Sequence, residues 1–206
     1  MNRVLKSLSV ALILAGAPAL IAIQTVPVQA QAADPAVDQV QGFYDALLAS
    51  MKSGGTAKSR YDKLKPAVEK AFDLPAMTAT AVGPTWASLS DADKKALTDA
   101  FSRLTIANYA KSFDSFGGEK FIVEPASIAR GNDHFVKSTM KTAKETIAFN
   151  YRTHQTGSDW KITDVYLAGN ISQMAQKRSD FSATLASGGP SGLAKRINAL
   201  TDQMLS

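Results

Sequence analysis

The chain has 206 residues, with 23 Lys and Arg against 18 Asp and Glu, a formal charge of +5, and no cysteine. The lack of cysteine excludes a disulfide framework and thiolate chemistry, so a hydrophobic core must hold the fold together. The charge is mild and scattered, which argues against a nucleic-acid partner, whose binding surface needs a dense basic patch with interleaved aromatics.

Arg3 and Lys6 precede an uncharged stretch, Ser7 to Ile23, rich in Leu, Ile, Val and Ala. Small residues follow at Val28-Gln29-Ala30 and Ala30-Gln31-Ala32. This is the pattern of a signal peptide over residues 1–32, and Gly16, Pro18 and the small-x-small sites favour cleavage over retention as a membrane anchor. No cysteine ends the apolar region, so a lipoprotein is excluded, and no twin arginine is present. Residues 33–206 are then read as a single domain, long enough to bury a sizeable core. Without Arg3 and Lys6 its formal charge is +3.

Asp34-Pro35 predicts a capped helix start, and Val37, Val40, Phe43, Leu47 and Met51 follow at helical spacing until Gly54-Gly55. Ser59 to Phe72 places Tyr61, Leu64, Val68 and Phe72 on one side, with a break or restart expected at Pro66. A short helix, Leu74 to Val82, runs to Gly83-Pro84, with Trp86 just beyond. Ser90 and Asp93 fit a capping box at the start of the longest helix, whose broad apolar stripe is Leu97, Phe101, Leu104, Ile106, Tyr109 and Phe113.

The period then shifts from 3.6 to 2. Phe121 to Ile128, Phe135 to Thr142, Thr146 to Thr153 and Trp160 to Leu167 are four strands separated by turn residues, which predicts an antiparallel meander. Ile147, Phe149 and Tyr151 share an apolar face. Trp160 and Ile162 have one parity and Val165 and Leu167 the other, so a bulge is expected near Thr163-Asp164. After Gly169, Asn170 and Gln173 suit a helix start, Ile171, Met174, Phe181 and Leu185 share a side, and Gly188-Gly189-Pro190 separates a last amphipathic helix. The order predicts an α+β fold, with helices packed on one face of a curved four-stranded antiparallel sheet.

Candidates for chemistry are few. His134 and His154 lie near opposite ends of adjacent strands, and no third ligand at metal-binding spacing accompanies them and Asp133. Exposed strand-end histidines are the simpler reading. Asp164 sits between apolar residues and could serve as the general base of a cavity enzyme, of isomerase or hydratase type, or it could bond to backbone at the bulge. Lys137, Lys141 and Lys144 read as solvated strand lysines that discourage sheet-to-sheet association. No phosphate-cradling glycine loop is present. What is plentiful is apolar and aromatic material for a core or a pocket wall.

Two stretches resemble a known family. Pro66 to Phe116, including FDLPAM and a Gly before Trp86, and Trp160 to Phe181, with its Trp-x-Ile-x-Asp-Val strand and Arg-Ser-x-Phe helix, are similar to the MlaC-type toluene-tolerance auxiliary proteins. FDLPAM, SFGGEKF, DVYLAGNIS and RSDFSATLASGG are most similar to the hopanoid-associated HpnM branch. The resemblance implies a periplasmic lipid carrier and not an enzyme, with an NTF2-like fold, an internal apolar cavity and no cofactor. It implies a phospholipid or hopanoid cargo passed between an inner-membrane lipid transporter and an outer-membrane lipoprotein complex, by a protein expected to be monomeric. The positions it marks for lipid contact are Phe72, Met77, Trp86, Phe101, Tyr109, Trp160, Ile162, Val165 and Leu167, and Leu104 of the long helix's apolar stripe joins them. The shared strand face adds Ile147, Phe149 and Tyr151. Arg178 is the candidate for a head-group or partner contact, with stapling of a helix as the competing role.

Overall fold

A computed structural model describes residues 34–206; the signal-peptide expectation concerns residues outside that range. Asp34 starts the described fold in two directions. One carboxylate oxygen accepts the Ala36 amide at 3.0 Å and the Val37 amide at 3.4 Å, capping helix α1 (Pro35–Ser53). The other accepts the Ser127 amide and hydroxyl at 2.8 and 2.7 Å, tying the helix start to a loop 93 residues away. Burial opposes ionisation of Asp34, but the bonds from Ser127, Val37 and Ala36 outweigh it and lower the pKa.

α2 (Ala57–Ala71) runs through Pro66 without the expected break. Pro66 lies on the exposed face, where water can meet the Asp62 carbonyl that loses its donor, while buried Tyr61, Leu64, Val68 and Ala71 keep the helix docked. α3 (Leu74–Val82) passes into a 3-10 segment (Gly83–Ser88) that carries Trp86. α4 (Asp91–Ser112) is capped by Ser90, whose hydroxyl accepts the Asp93 amide at 3.1 Å and donates to its carboxylate at 2.7 Å.

The antiparallel sheet has six strands, not four: β1 (Lys120–Val123), β2 (Ile128–Arg130), β3 (Asp133–Lys141), β4 (Thr146–Thr156), β5 (Asp159–Leu167) and β6 (Ile171–Ser172). The strand expected over Phe121–Ile128 is split. Pro125 brings no N–H to the ladder, and Ser127 is drawn to Asp34, so β1 and β2 pair separately with the two halves of β3. β3, β4 and β5 form the expected meander.

The bulge falls where side-chain parity changes. Arg152 faces Asp164 and Thr153 faces Ile162, which leaves Thr163 as the extra residue. The outer edge of β5 is covered in two pieces. Phe72 bridges Ile162, with the Asp73 amide donating to the Ile162 carbonyl at 2.9 Å, and beyond the bulge β6 pairs with Tyr166 and Leu167. α5 (Gln173–Leu205) is kinked at Gly189, as the Gly-Gly-Pro run implies. One core joins all five helices to the sheet through Val40, Phe43, Leu64, Val68, Met77, Leu97, Ile106, Val136, Ile162, Phe181 and Ile197. Among the described residues no helix is long and apolar enough to cross a membrane.

Because Asp34 both caps α1 and anchors Ser127, Asp34→Ala is expected to lower the unfolding free energy by about 1–2 kcal/mol, read by urea denaturation near neutral pH. Its folded pKa lies below the unfolded value of about 3.9, so this stabilisation is present above that pH and is lost as pH falls through the folded value. The gap between wild type and variant should therefore narrow in acid; a gap constant down to the acid transition would contradict the role given to the carboxylate.

Candidate functional site

α4 packs closely on α2, α3 and α5 but makes no comparable approach to any strand. Between its sheet-facing side and strands β4 and β5 lies a pocket of about 390 Å³, within the roughly 300–1,000 Å³ of sites that enclose small ligands. α1 supplies Tyr44 and Leu47, the α2–α3 junction Phe72 and Met77, and the start of α5 Gln173, Met174 and Lys177.

Nine of the expected lining residues are in the wall: Phe72, Met77, Phe101, Leu104, Tyr109, Phe149, Tyr151, Val165 and Leu167. The others lie elsewhere. Ile162 is fully buried on the far side of the bulge, where it bridges Phe72, so it belongs to the packed core. Trp86 packs against the rim of the core from the 3-10 segment, and Trp160 lies tilted against His134 with ring centroids 4.3 Å apart. Ile147 pairs with Met140 near the end of β4 and does not reach the pocket.

Several wall residues were not foreseen. Tyr44 follows Phe43, and only the Phe43 side of α1 was counted as its apolar stripe. Thr105, Asn108 and Ser112 form a polar row along α4 at spacings of three and four, and this row borders the pocket. Phe113, Phe121 and Met174 complete the apolar wall.

Aromatic contacts hold the wall open. Phe43 meets Phe72 and Tyr109 edge-on at 4.9 Å each, Tyr44 stacks on Phe121 at 4.4 Å, and Tyr44 meets Tyr151 edge-on at 5.6 Å. Such pairs contribute about 0.5–1.5 kcal/mol each beyond area burial. Burial pushes the Tyr44 pKa up to about 12 despite the bond to Ser138, and burial, then the neighbouring Tyr44, raises those of Tyr109 and Tyr151. These phenols are therefore neutral at physiological pH.

Asp164 is buried, but it is not in the pocket wall. Its carboxylate accepts the Val165 amide at 2.8 Å, the Met174 amide at 3.1 Å and the Ser172 hydroxyl at 2.5 Å. Ser172, and not Asn170 or Gln173, caps α5, accepting the Ala175 amide at 3.0 Å. Asp164 thus fixes the start of α5 to the bulge, the backbone-bonding role weighed for it from sequence. Three donors already occupy a carboxylate that a general base would need free.

Arg178 is also outside the pocket wall. Its Nε and Nη2 donate to the Thr80 carbonyl at 3.0 and 2.8 Å, meeting one of the last carbonyls of α3. The guanidinium crosses Gly83, where a Cβ would stand 3.2 Å from Nε and where φ is +79°. Its neighbour Lys177 is the cation in the wall. His134 bonds to Ser127 at 2.7 Å, and His154 to Asp133 at 2.9 Å; the bonds from Arg152 and His154 outweigh the effect of burial and lower the Asp133 pKa. Among the described residues no three His, Asp or Glu side chains are grouped to hold a metal.

A second cavity of about 300 Å³ lies between α4 and α5, lined by Phe181, Leu193, Ile197, Leu200 and Met204 with Asp180 and Arg196. It shares Leu104, Asn108 and Lys177 with the first. The two spaces are neighbours along α4, with an ammonium at their common border.

Residues 41–199 match the family model described as MlaC protein. The fold is similar to that of the phospholipid-binding protein from Ralstonia solanacearum, solved in complex with a phospholipid: the TM-score is 0.73 at 21% identity, over 84% of this chain and 100% of that one. No curated protein matches the sequence.

Two outcomes test the site geometry. The unfolded tyrosines ionise near pH 10 while Tyr44, Tyr109 and Tyr151 resist, so the folded state holds more protons above that pH and stability falls as pH rises further. Unfolding free energy measured against pH should drop between about pH 10 and 12, and less so in Tyr151→Phe; an equal drop in both would refute the assignment. Asp164→Ala should cost about 2–3 kcal/mol by leaving buried donors unpaired, with hydrogen exchange fastest at the first turn of α5.

Proposed function

The chain belongs to the MlaC protein family, and on that premise we propose that it is a lipid-binding carrier whose pocket between α4 and the sheet encloses the hydrocarbon of one lipid at a time. The observation that carries this reading is the pocket itself: nine aromatic and aliphatic residues foreseen as lipid contacts converge on it. The similar fold of the Ralstonia solanacearum protein, which holds a phospholipid, supports a phospholipid as cargo. A hopanoid is the second candidate, in keeping with the HpnM-like stretches.

The physical task defines what such a protein must supply. Two acyl chains carry roughly 30 methylenes, and leaving each in water costs about 0.8 kcal/mol, so free transit across an aqueous compartment is unfavourable by 20 kcal/mol or more. An apolar enclosure removes most of that cost without acid-base chemistry. In our reading the larger cavity takes hydrocarbon, the smaller one between α4 and α5 extends it, and Lys177 at their border faces an anionic head group. We place the carrier in the periplasm, exported by a signal peptide over residues 1–32. There it would accept and deliver lipid by transient contact with an inner-membrane transporter and an outer-membrane lipoprotein complex. Helices filling the hollow of a curved sheet make its plan NTF2-like in this view.

Native mass spectrometry of the protein purified from a bacterial periplasm should show a lipid adduct, with the lipid recovered in an organic extract. Leu104→Trp, which places a large ring at the border of the two cavities, is expected to reduce bound lipid several-fold while keeping the circular dichroism of the wild type. A lipid-free wild type that also fails to bind phospholipid added as micelles would refute the proposal.

A further inference from the structure

The pocket wall carries one buried polar feature that enclosing plain hydrocarbon does not require, a run of hydroxyls on its inner side. Ser138 Oγ donates to the Phe149 carbonyl and so uses its only proton. At 2.7 Å from it, the Tyr44 hydroxyl must therefore be the donor to Ser138. That leaves the Tyr44 oxygen free to accept, and the Tyr151 ring meets Tyr44 edge-on at 5.6 Å. The donors run in one direction, Tyr44 to Ser138 to the β4 backbone.

Tyr109 brings a third phenol from the facing helix α4, and its ring and that of Tyr44 both pack on Phe43. Its ring is fixed by Phe43 at 4.9 Å and Phe113 at 6.0 Å. Its hydroxyl has no hydrogen-bond partner among the described residues, yet it is not sealed in, since Ser50 Oγ is the one enclosed side-chain atom without a partner there. The accessible surface of Tyr109 faces the pocket. Phenylalanine would line this space without the desolvation cost of a hydroxyl, as Phe113, Phe121 and Phe149 do in the same wall.

We propose that Tyr109 and Tyr151 form a hydrogen-bonding subsite for an uncharged oxygen, a hydroxyl or a carbonyl, carried on the hydrocarbon body of the cargo. Each phenol can donate or accept, so a cargo hydroxyl between them can give its proton to one and accept from the other. Among the described residues the one cation lining this pocket is Lys177, at the border with the second cavity, so a carboxylate or phosphate held between the phenols would lose its solvation without a counter-charge beside it. Two kinds of lipid present the required chemistry, a hydroxylated acyl chain and a hydroxylated polycyclic skeleton. The subsite rests on the reading of this pocket as a lipid site and adds to it a preference for oxygenated over plain hydrocarbon.

Competition against a fluorescent fatty acid tests it on the full mature protein after delipidation. Stearate is compared with a mid-chain hydroxystearate, and a pentacyclic triterpene hydrocarbon with its monohydroxylated derivative. The wild type is expected to bind the hydroxylated member of at least one pair roughly 2- to 10-fold more tightly than its parent. The pair that shows the preference identifies the source of the oxygen. Tyr109→Phe, which keeps the ring, should bring the ratio of the two affinities within a pair toward one, and Tyr151→Phe provides the same readout if the first variant folds poorly. Equal affinities within both pairs in the wild type, or a preference that survives both substitutions, would overturn the subsite and leave the lipid-carrier reading intact. Failure of every lipid to compete would overturn both.

Discussion

The stand-off of α4 from the sheet is the constraint on which the rest of the structure depends. A helix with a broad apolar stripe ordinarily settles on the nearest sheet face and removes the space between them. Here α4 is held from behind. The guanidinium of buried Arg60 on α2 donates to the Ala110 carbonyl at 2.8 Å near the end of α4, and Arg103 reaches Asn198 and, at 2.8 Å, Asp202 on α5. Leu97, Ala100, Ile106, Ala107 and Ala110 are buried on this helix, whereas Leu104, Thr105, Asn108, Tyr109 and Ser112 border the pocket. α4 thus has one side for docking and another for lining, which is why its apolar stripe is broader than one contact requires.

The opposite wall depends on a single extra residue. Inserting Thr163 into β5 changes which side of the strand points inward, so Ile162 fills the core while Val165 and Leu167 reach the pocket. The same irregularity brings Asp164 to Ser172 and the Met174 amide, which fixes where α5 begins and so where Gln173, Met174 and Lys177 stand. Arg178, one residue on, secures α5 to the end of α3. One bulge therefore sets both the strand wall and the start of the helix beside it.

Periodicity made most of this legible before any coordinates. Side-chain parity located the bulge, and the helical spacings located the five described helices, with α5 read as two segments that meet at the Gly189 kink. What escaped detection had local causes. Pro66 reads as a break in sequence, but its solvent-facing position decides the outcome, and that depends on what α2 packs against. β6 is two residues long and lies beside the cap of α5, too short for any period to register. The strand expected before β3 is divided by a proline and by a serine drawn to Asp34, a contact spanning 93 residues. Family resemblance and strand face together identified nine of the nineteen wall residues but could not separate core from cavity. Ile162 and Val165 are alike in chemistry and are assigned to different spaces only by the register of β4 against β5. Arg178 and Lys177 were likewise separable only once the Thr80 carbonyl was found to occupy the guanidinium.

A preformed apolar pocket carries a thermodynamic cost that bears on how such a protein works. Were 390 Å³ sealed and empty, a penalty near 24 cal/mol per Å³ would come to roughly 9 kcal/mol, comparable with the entire stability of an ordinary domain. Access to solvent lowers that figure, because water entering an open pocket can hydrate its hydroxyls and the polar row on α4. It also leaves the aromatic wall wet, so the driving force for filling it with hydrocarbon is retained rather than lost to collapse. The edge-on contacts around Phe43 and Tyr44 resist collapse, and Arg60, Arg103, Asp164 and Arg178 hold the helices at the distance those contacts need. Occupancy by an apolar ligand then stabilises the folded state by mass action. The polar ties at the periphery and the unfilled space at the centre are two parts of one arrangement: each buried charge or arginine fork keeps an element from closing a gap that the apolar effect alone would close.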